Sequence, residues 1–399
     1  MKNIKEKTNL YFSSLTTIAI SIPFFLNPSI SSDWDSYAII GTYKNFMDKG
    51  VYIPSRPPGF PLYELLIGLC IKMSEVLPFA MEQTILFMQL LFTLSLNFLI
   101  YKFFEKVNSN YFIYLIAVLS PIFLISGFTT IDYTLGSLLG FLSIYIAMHS
   151  KKNNSELLVA LTLALSIATR LSNIIFLIVI VFFLRSDFQK AIKVGLYSTI
   201  LFLSFYIVFY SNLYGFYISN NVYNSWSELL CIFNLTNTDH DIYNRLGRFV
   251  LKQIPFLGTL GMALFILSLN KVKFNFKNNN LYFFLIFIFF QLSFLRLPTE
   301  EGHLLPAFIA FAILISNNKN YIFAVIFFFV FSSNFINLKF FDVDEVDSAS
   351  NINLTFEVEK GYLISDYELR SEIAENKTFH YENAQNTLFD AWVNGCPNK

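Results

Sequence analysis

Charge is what this sequence has least of. Asp, Glu, Lys and Arg make up 14% of 399 residues, and the 28 cations cancel the 28 anions. With no basic excess overall or in any one segment, the chain has nothing with which to neutralise a run of phosphates, so nucleic acid is excluded as a partner. Cysteine is scarce too. Cys70, Cys231 and Cys396 show no metal-ligand spacing, and an odd number cannot close a disulfide framework. No fixed period repeats and no low-complexity linker divides the chain, which removes solenoids and bead-like arrays.

What is there is apolar. Hydrophobic residues reach 55%, and the 48 Phe exceed what a soluble core of this length uses, so the expected class is an all-α polytopic membrane protein. The first apolar run, 11–25, has no small-residue cleavage site after it and reads as an uncleaved span. Lys2, Lys5 and Lys7 then put the N-terminus in the cytoplasm. Further spans are expected at 82–104, 110–128, 131–149, 193–211, 249–269, 281–295, 303–316 and 320–336. The run 156–184 carries Arg170 at its centre, where a charge at mid-bilayer is costly. Two short helices meeting at the outer face relieve that cost, and they keep Lys151, Lys152, Arg185, Lys190, Lys193, Lys271 and Lys273 in cytoplasmic loops. The total is about eleven crossings of roughly 20 residues or less.

Two domains follow. Residues 1–337 form a transmembrane module whose outer loop, 30–81, holds juxtamembrane helices; the dozen apolar residues 62–73, with Glu64 and Lys72 at the ends, suit a helix lying in the interface. Residues 338–399 are acidic and form a small extracytoplasmic α/β domain. There Leu354, Phe356 and Val358 alternate with Thr355, Glu357 and Glu359 as in a half-buried strand, and 366–375 and 387–393 read as short helices.

Residues capable of chemistry collect on the outer side. Asp33 and Asp35 flank Trp34 ahead of an amphipathic helix whose Ile39, Tyr43, Phe46 and Met47 share a face. Either carboxylate caps that helix, takes a proton from an acceptor hydroxyl, or holds a divalent cation, with Glu301 as a further ligand. The Pro57-Pro58-Gly59-Phe60-Pro61 run fixes a tight path into the interfacial helix. Arg170 either snorkels to the interface or binds phosphate, for which an arginine fork is well shaped. Arg296 and His303 sit at outer helix ends, and Asp132 either caps its helix or orients a sugar.

The order of these features resembles the polytopic GT-C glycosyltransferases, in particular their protein-mannosyltransferase and aminoarabinose-transferase-like branch. The resemblance rests on Asp33, the Tyr37-Ala38 pair, a short helix ending at Gly50, and Arg56-Pro57-Pro58-Gly59-Phe60-Pro61-Leu62-Tyr63. It continues through Asp132, Ala168-Thr169-Arg170, Arg296 and Glu301-Gly302-His303-Leu304-Leu305-Pro306. It implies inverting transfer of a sugar from a polyprenyl-phosphate-linked donor to a glycan, lipid or protein acceptor. The first-loop aspartate is then the general base, and Arg56, Arg170, Arg296, His303 and Asp132 bind substrate or lipid phosphate. The branch usually shows an Asp-Glu pair where this chain has Asp33-Trp34, so Asp35 is the other carboxylate to consider.

A polytopic transporter or lipid flippase is the alternative. It fits less well, because apart from Arg170 nearly every charge falls at a span end. Richness in Asn, Lys, Ile and Phe points to a bacterial inner (plasma) membrane as the location, with membrane lipids as partners and the active site and C-terminus outside.

Overall fold

The computed structural model describes residues 2–27, 29–49, 52, 54–55, 59–105, 109–149, 155–184, 187–219, 242–274, 280–296, 301–343 and 352–376. In chain order the helices are α1 (Lys2–Leu26), α2 (Trp34–Lys49), α3 (Pro61–Ser74), α4 (Met81–Glu105), α5 (Tyr111–Leu119), α6 (Pro121–Phe128), α7 (Tyr133–His149), α8 (Ser155–Thr169), α9 (Ile174–Phe183) and α10 (Phe188–Ser219). They continue as α11 (Ile242–Leu251), α12 (Ile254–Leu267), α13 (Asn280–Arg296), α14 (Leu305–Ile315) and α15 (Ile322–Ser332). An antiparallel hairpin, β1 (Ile336–Val343) and β2 (Ile352–Lys360), leads into α16 (Tyr362–Asn376).

Among the described residues α1 and α4 are long and apolar enough to cross a membrane, and the pair α5–α6, bent by 43°, makes a third if it is one span. Each remaining apolar run of the sequence is helical as well, but in pieces of 10–17 residues apart from the 32-residue α10. What surrounds them is legible from exposure. On α10, Ile192, Leu196, Ile200 and Leu203 recur at helical spacing and are all exposed, Ile200 at 57%. Water does not solvate such a stripe well; lipid does.

The chain divides into two compact units. One comprises 1–23, 90–128 and 239–368. Between α1, α4 and α5 it holds a cluster of buried polar groups that satisfy one another, as burial requires. Ser13 Oγ lies 2.8 Å from Tyr114 Oη, Asn97 Nδ2 donates to Ser13 Oγ at 3.0 Å, and Tyr114 donates to Asn97 Oδ1. The run 110–128, expected as one span, is broken at Ser120–Pro121 because proline brings no N–H and cannot continue the ladder. The carbonyl of Leu119 at that break accepts from Asn334 Nδ2 at 3.0 Å. In α12, Gly258 sits at φ +66°, and an added Cβ would stand 2.5 Å from the Ser333 side chain, so only glycine fits both the backbone and the space.

The other unit comprises 24–89, 129–238 and 369–399. Here α7 and α8 approach closely through small residues, with Ser166 Oγ donating to the Gly136 carbonyl at 2.9 Å. A Cβ at Gly140 would meet the Phe176 ring at 2.4 Å, and that ring packs edge-on against Phe141 at 5.3 Å. The expected break at Arg170 is present: α8 ends at Thr169, Arg170 is extended (φ −156°, ψ 120°), and a single 3-10 turn, Leu171–Asn173, starts α9. This unit positions the site.

Candidate active site

The first outer loop is held by its own polar groups. Asp33 N–H donates to Ser31 Oγ at 3.0 Å, Asp33 Oδ1 accepts from the N–H of Asp35 at 3.0 Å, and Ser36 N–H returns to the Asp33 carbonyl at 3.2 Å. Asp33 therefore caps α2 with one carboxylate oxygen, which satisfies a donor the helix leaves open. Asp33 is half-buried, whereas Asp35, in the first turn of α2, is 8% exposed. Tyr37 Oη donates to the Ser31 carbonyl at 3.2 Å. Burial raises the Tyr37 pKa, and its bond to Ser29 and the nearby Arg370 charge pull it back.

That loop is tied to the turn before α7. Thr130 Oγ1 donates to the Ile30 carbonyl at 3.1 Å, two residues before Asp132. Asp132 is fully buried and takes a hydrogen bond from Arg170 Nη1 at 2.7 Å, the Arg170 side chain being 8% exposed. The same guanidinium lies 4.3 Å from the Tyr133 ring centre and 6.0 Å from that of Phe60. Asp132 and Arg170, expected as separate substrate contacts, are thus one buried ion pair capped by aromatic faces.

Phe60 belongs to the proline loop, and that loop converges on Glu64. Oε1 accepts from Ser55 N–H at 2.8 Å and Ser55 Oγ at 2.6 Å, while Oε2 accepts from Tyr52 Oη and from Phe60 N–H at 3.4 Å. Four donors from both ends of the loop meet one carboxylate. Burial holds Glu64 above the usual carboxylate range, against those four bonds, which act the other way. Gly59 takes φ 96°, open to glycine alone at low cost, and its carbonyl accepts from Tyr206 Oη at 2.8 Å. Arg56, Pro57 and Pro58 lie outside the described residues.

Arg370 has no signal in its local sequence. It is 1% exposed, on the half of α16 that belongs to this unit. Nη2 donates to Thr129 Oγ1 at 2.7 Å, Nη1 reaches the Ile30 carbonyl at 3.4 Å, and the guanidinium lies 5.1 Å from the Phe24 ring centre. It therefore grips both the start of the Asp33 loop and the start of the Asp132 turn. Only the burial of a charged residue marks such a role, and burial is not visible one residue at a time.

Arg296, Glu301 and His303 belong to the other unit. Glu301 is ion-paired with Lys252 at 2.7 Å, and His303 is half-buried in the 3-10 turn Glu301–Leu304 that opens α14. The Arg296 side chain lies outside the described residues. Among the described residues no three His, Cys, Asp or Glu side chains are grouped as a metal ion would need.

No protein-family model matches the chain, and no curated protein does. Among solved structures it is similar to the crystal structure of ArnT from Cupriavidus metallidurans in the apo state, at 12% sequence identity and a TM-score of 0.48. The likeness covers 75% of this chain and 58% of that one, so the chain spans less than two thirds of the ArnT structure.

Proposed function

We propose that the chain is a GT-C-type inverting glycosyltransferase that moves a sugar from a polyprenyl-phosphate carrier to an acceptor hydroxyl at the extracytoplasmic face. The observation that carries the reading is one continuous set of contacts inside a single unit. Ile30 is bonded to Thr130, Asp132 to Arg170, Arg170 stacks near Phe60, and Phe60 is bonded to Glu64. This set draws the start of the Asp33 loop, the Asp132 turn, the helix break and Phe60 at the entry to α3 into one neighbourhood. The sequence resemblance rests on these segments together with Arg296 and residues 301–306, which lie in the other unit.

In this reading Asp33 is the base. Its capping bond fixes one oxygen at the N-terminus of α2, where the helix dipole favours the anion, and its partial exposure lets an acceptor approach. The acceptor O–H gives its proton to Asp33 while its oxygen bonds to the anomeric carbon. The bond from that carbon to the phosphate oxygen breaks, and its electron pair leaves with the carrier phosphate. One displacement inverts the centre. Asp35, buried in the first turn, positions the loop and does not meet the acceptor. Arg56 and Arg170 are assigned to the donor phosphate, with Asp132 holding the Arg170 fork in one orientation. Arg296, Glu301 and His303 lie in the other unit, where Glu301 pairs with Lys252, and they take no part in this assignment. The eleven crossings, the transmembrane module 1–337, the outer segment 338–399 and the inner-membrane location belong to the same proposal.

Broken helices also occur in transporters. Here the 43° break between α5 and α6 holds no Asp, Glu, Lys, Arg or His, and the Arg170 at the break between α8 and α9 is already paired with Asp132. The test is incubation of the purified chain with a panel of polyprenyl-phosphate sugars. Donor-dependent release of carrier phosphate supports the proposal, and its absence with every donor and acceptor tried counts against it.

A further inference from the structure

The hairpin carries its amphipathic pattern the opposite way round from a free outer domain. Ile336 pairs with Lys360 and Leu338 with Val358, and residues two apart share a face, so Ile336, Leu338, Phe340, Phe356 and Val358 line one side, with Lys360 at its end. The Phe340 and Phe356 rings, 5.5 Å apart, belong to that side. The other side holds Asn337, Lys339, Glu357 and Glu359, with Lys339 Nζ 3.2 Å from Glu359. It is the polar side that meets the helices: Asn337 is buried, and its Oδ1 accepts from Thr259 Oγ1 of α12 at 3.1 Å. The apolar side faces outward, with Phe356 72% exposed, Val358 69% and Ile336 62%.

We propose that this apolar face rests in the interfacial layer of the lipid bilayer, so that the hairpin is a membrane-seated foot. The occupant is argued from continuity with α15. That helix is apolar throughout, and only residues 333–335 separate its end from β1. Its exposed Val325 and Phe328 are followed at helical spacing by exposed Phe335, and then by Ile336 at the start of the strand. The outward apolar surface of the helix thus runs onto the hairpin through Phe335 and Ile336, with Lys360 beside Ile336 at its edge. Apart from Lys360 at its edge, whose ammonium is paired with Glu368 at 2.7 Å, this strand face of aromatic and aliphatic side chains offers no hydrogen-bonding groups to select a protein, and a lysine at the rim of an apolar face suits the headgroup layer. The proposal is independent of the sugar-transfer reading.

The test uses the full chain in phosphatidylcholine nanodiscs, with the fluorophore NBD attached through Phe356→Cys, Val358→Cys or, on the polar side, Glu357→Cys. Parent protein treated with the same reagent is the blank, and each variant is first shown to unfold at the parent temperature. Replacing the lipid with its bromine-labelled form should quench emission at the first two positions and leave the third unchanged, and emission at the first two should be blue-shifted relative to the third. Two sites on the face guard against one label disturbing the strand. Absence of quenching at both, or equal quenching at all three, would overturn the proposal, whether a second copy, another segment of this chain or water covers the face.

Discussion

Arg170 Nη1 donates to Asp132 Oδ1 at 2.7 Å with both side chains buried, and this pair joins the start of α7 to the break between α8 and α9. Removing one partner leaves an uncompensated buried charge. Arg170→Ala and Asp132→Ala should each cost about 3–5 kcal/mol of stability. The double substitution Asp132→Leu with Arg170→Met, which fills the space with apolar groups, should recover most of that loss. Thermal unfolding of the four proteins in one detergent measures the coupling; additive losses would mean that the pair does not hold the break.

Glu64 predicts a pH dependence. Its folded pKa lies above the unfolded value because burial outweighs its hydrogen bonds. A carboxyl raised in the fold contributes stability that is fully present below the unfolded pKa and lost as pH rises through the folded one. The stability of the parent relative to Glu64→Gln should therefore increase as pH is lowered from neutral toward the ordinary glutamate value. The amide also turns two donors toward Tyr52, Ser55 or Phe60. At fixed pH that mismatch should cost about 1–3 kcal/mol, read by denaturant or thermal unfolding.

Arg370 makes the C-terminal helix part of the site. Arg370→Met keeps the length of the side chain and removes its bonds to Ile30 and Thr129. Amide exchange across residues 29–36 should accelerate, with a stability loss of about 1–3 kcal/mol. In the enzyme reading, turnover should fall more than donor affinity, because the base loop is loosened while the phosphate contacts stay. Unchanged exchange in that segment would remove Arg370 from the loop's support.

The local pattern of the sequence carried the elements further than the contacts. Composition and run length gave α1 and α4, the charge rule gave the break at Arg170, and the proline run gave the entry to α3. What failed were faces. Ile39, Tyr43, Phe46 and Met47 share a face of α2 by spacing, yet Ile39 is buried with Tyr37 and Ala38 while Phe46 and Met47 are exposed. Phe356 and Val358 alternate as predicted but face outward, because alternation fixes which residues share a side and not what that side meets. Glu64 was legible only as the polar end of an interfacial helix, since its partners Tyr52 and Ser55 lie in a loop without periodicity. Arg370 contacts Ile30 across 340 positions, and nothing local announces such a bond. The 387–393 helix and most of the 212–248 segment lie outside the described residues.

The most direct measurement is donor turnover by Asp33→Asn beside Asp35→Asn in the purified chain, with a polyprenyl-phosphate sugar that the parent consumes. Asparagine still accepts the capping bond from Asp35 N–H, so the loop is retained while the proton acceptor is lost. General-base assistance contributes about 10²–10⁴-fold, so Asp33→Asn should release carrier phosphate slower by that factor with donor affinity near the parent value, and Asp35→Asn should lose less. Parent-like release by Asp33→Asn would contradict the account.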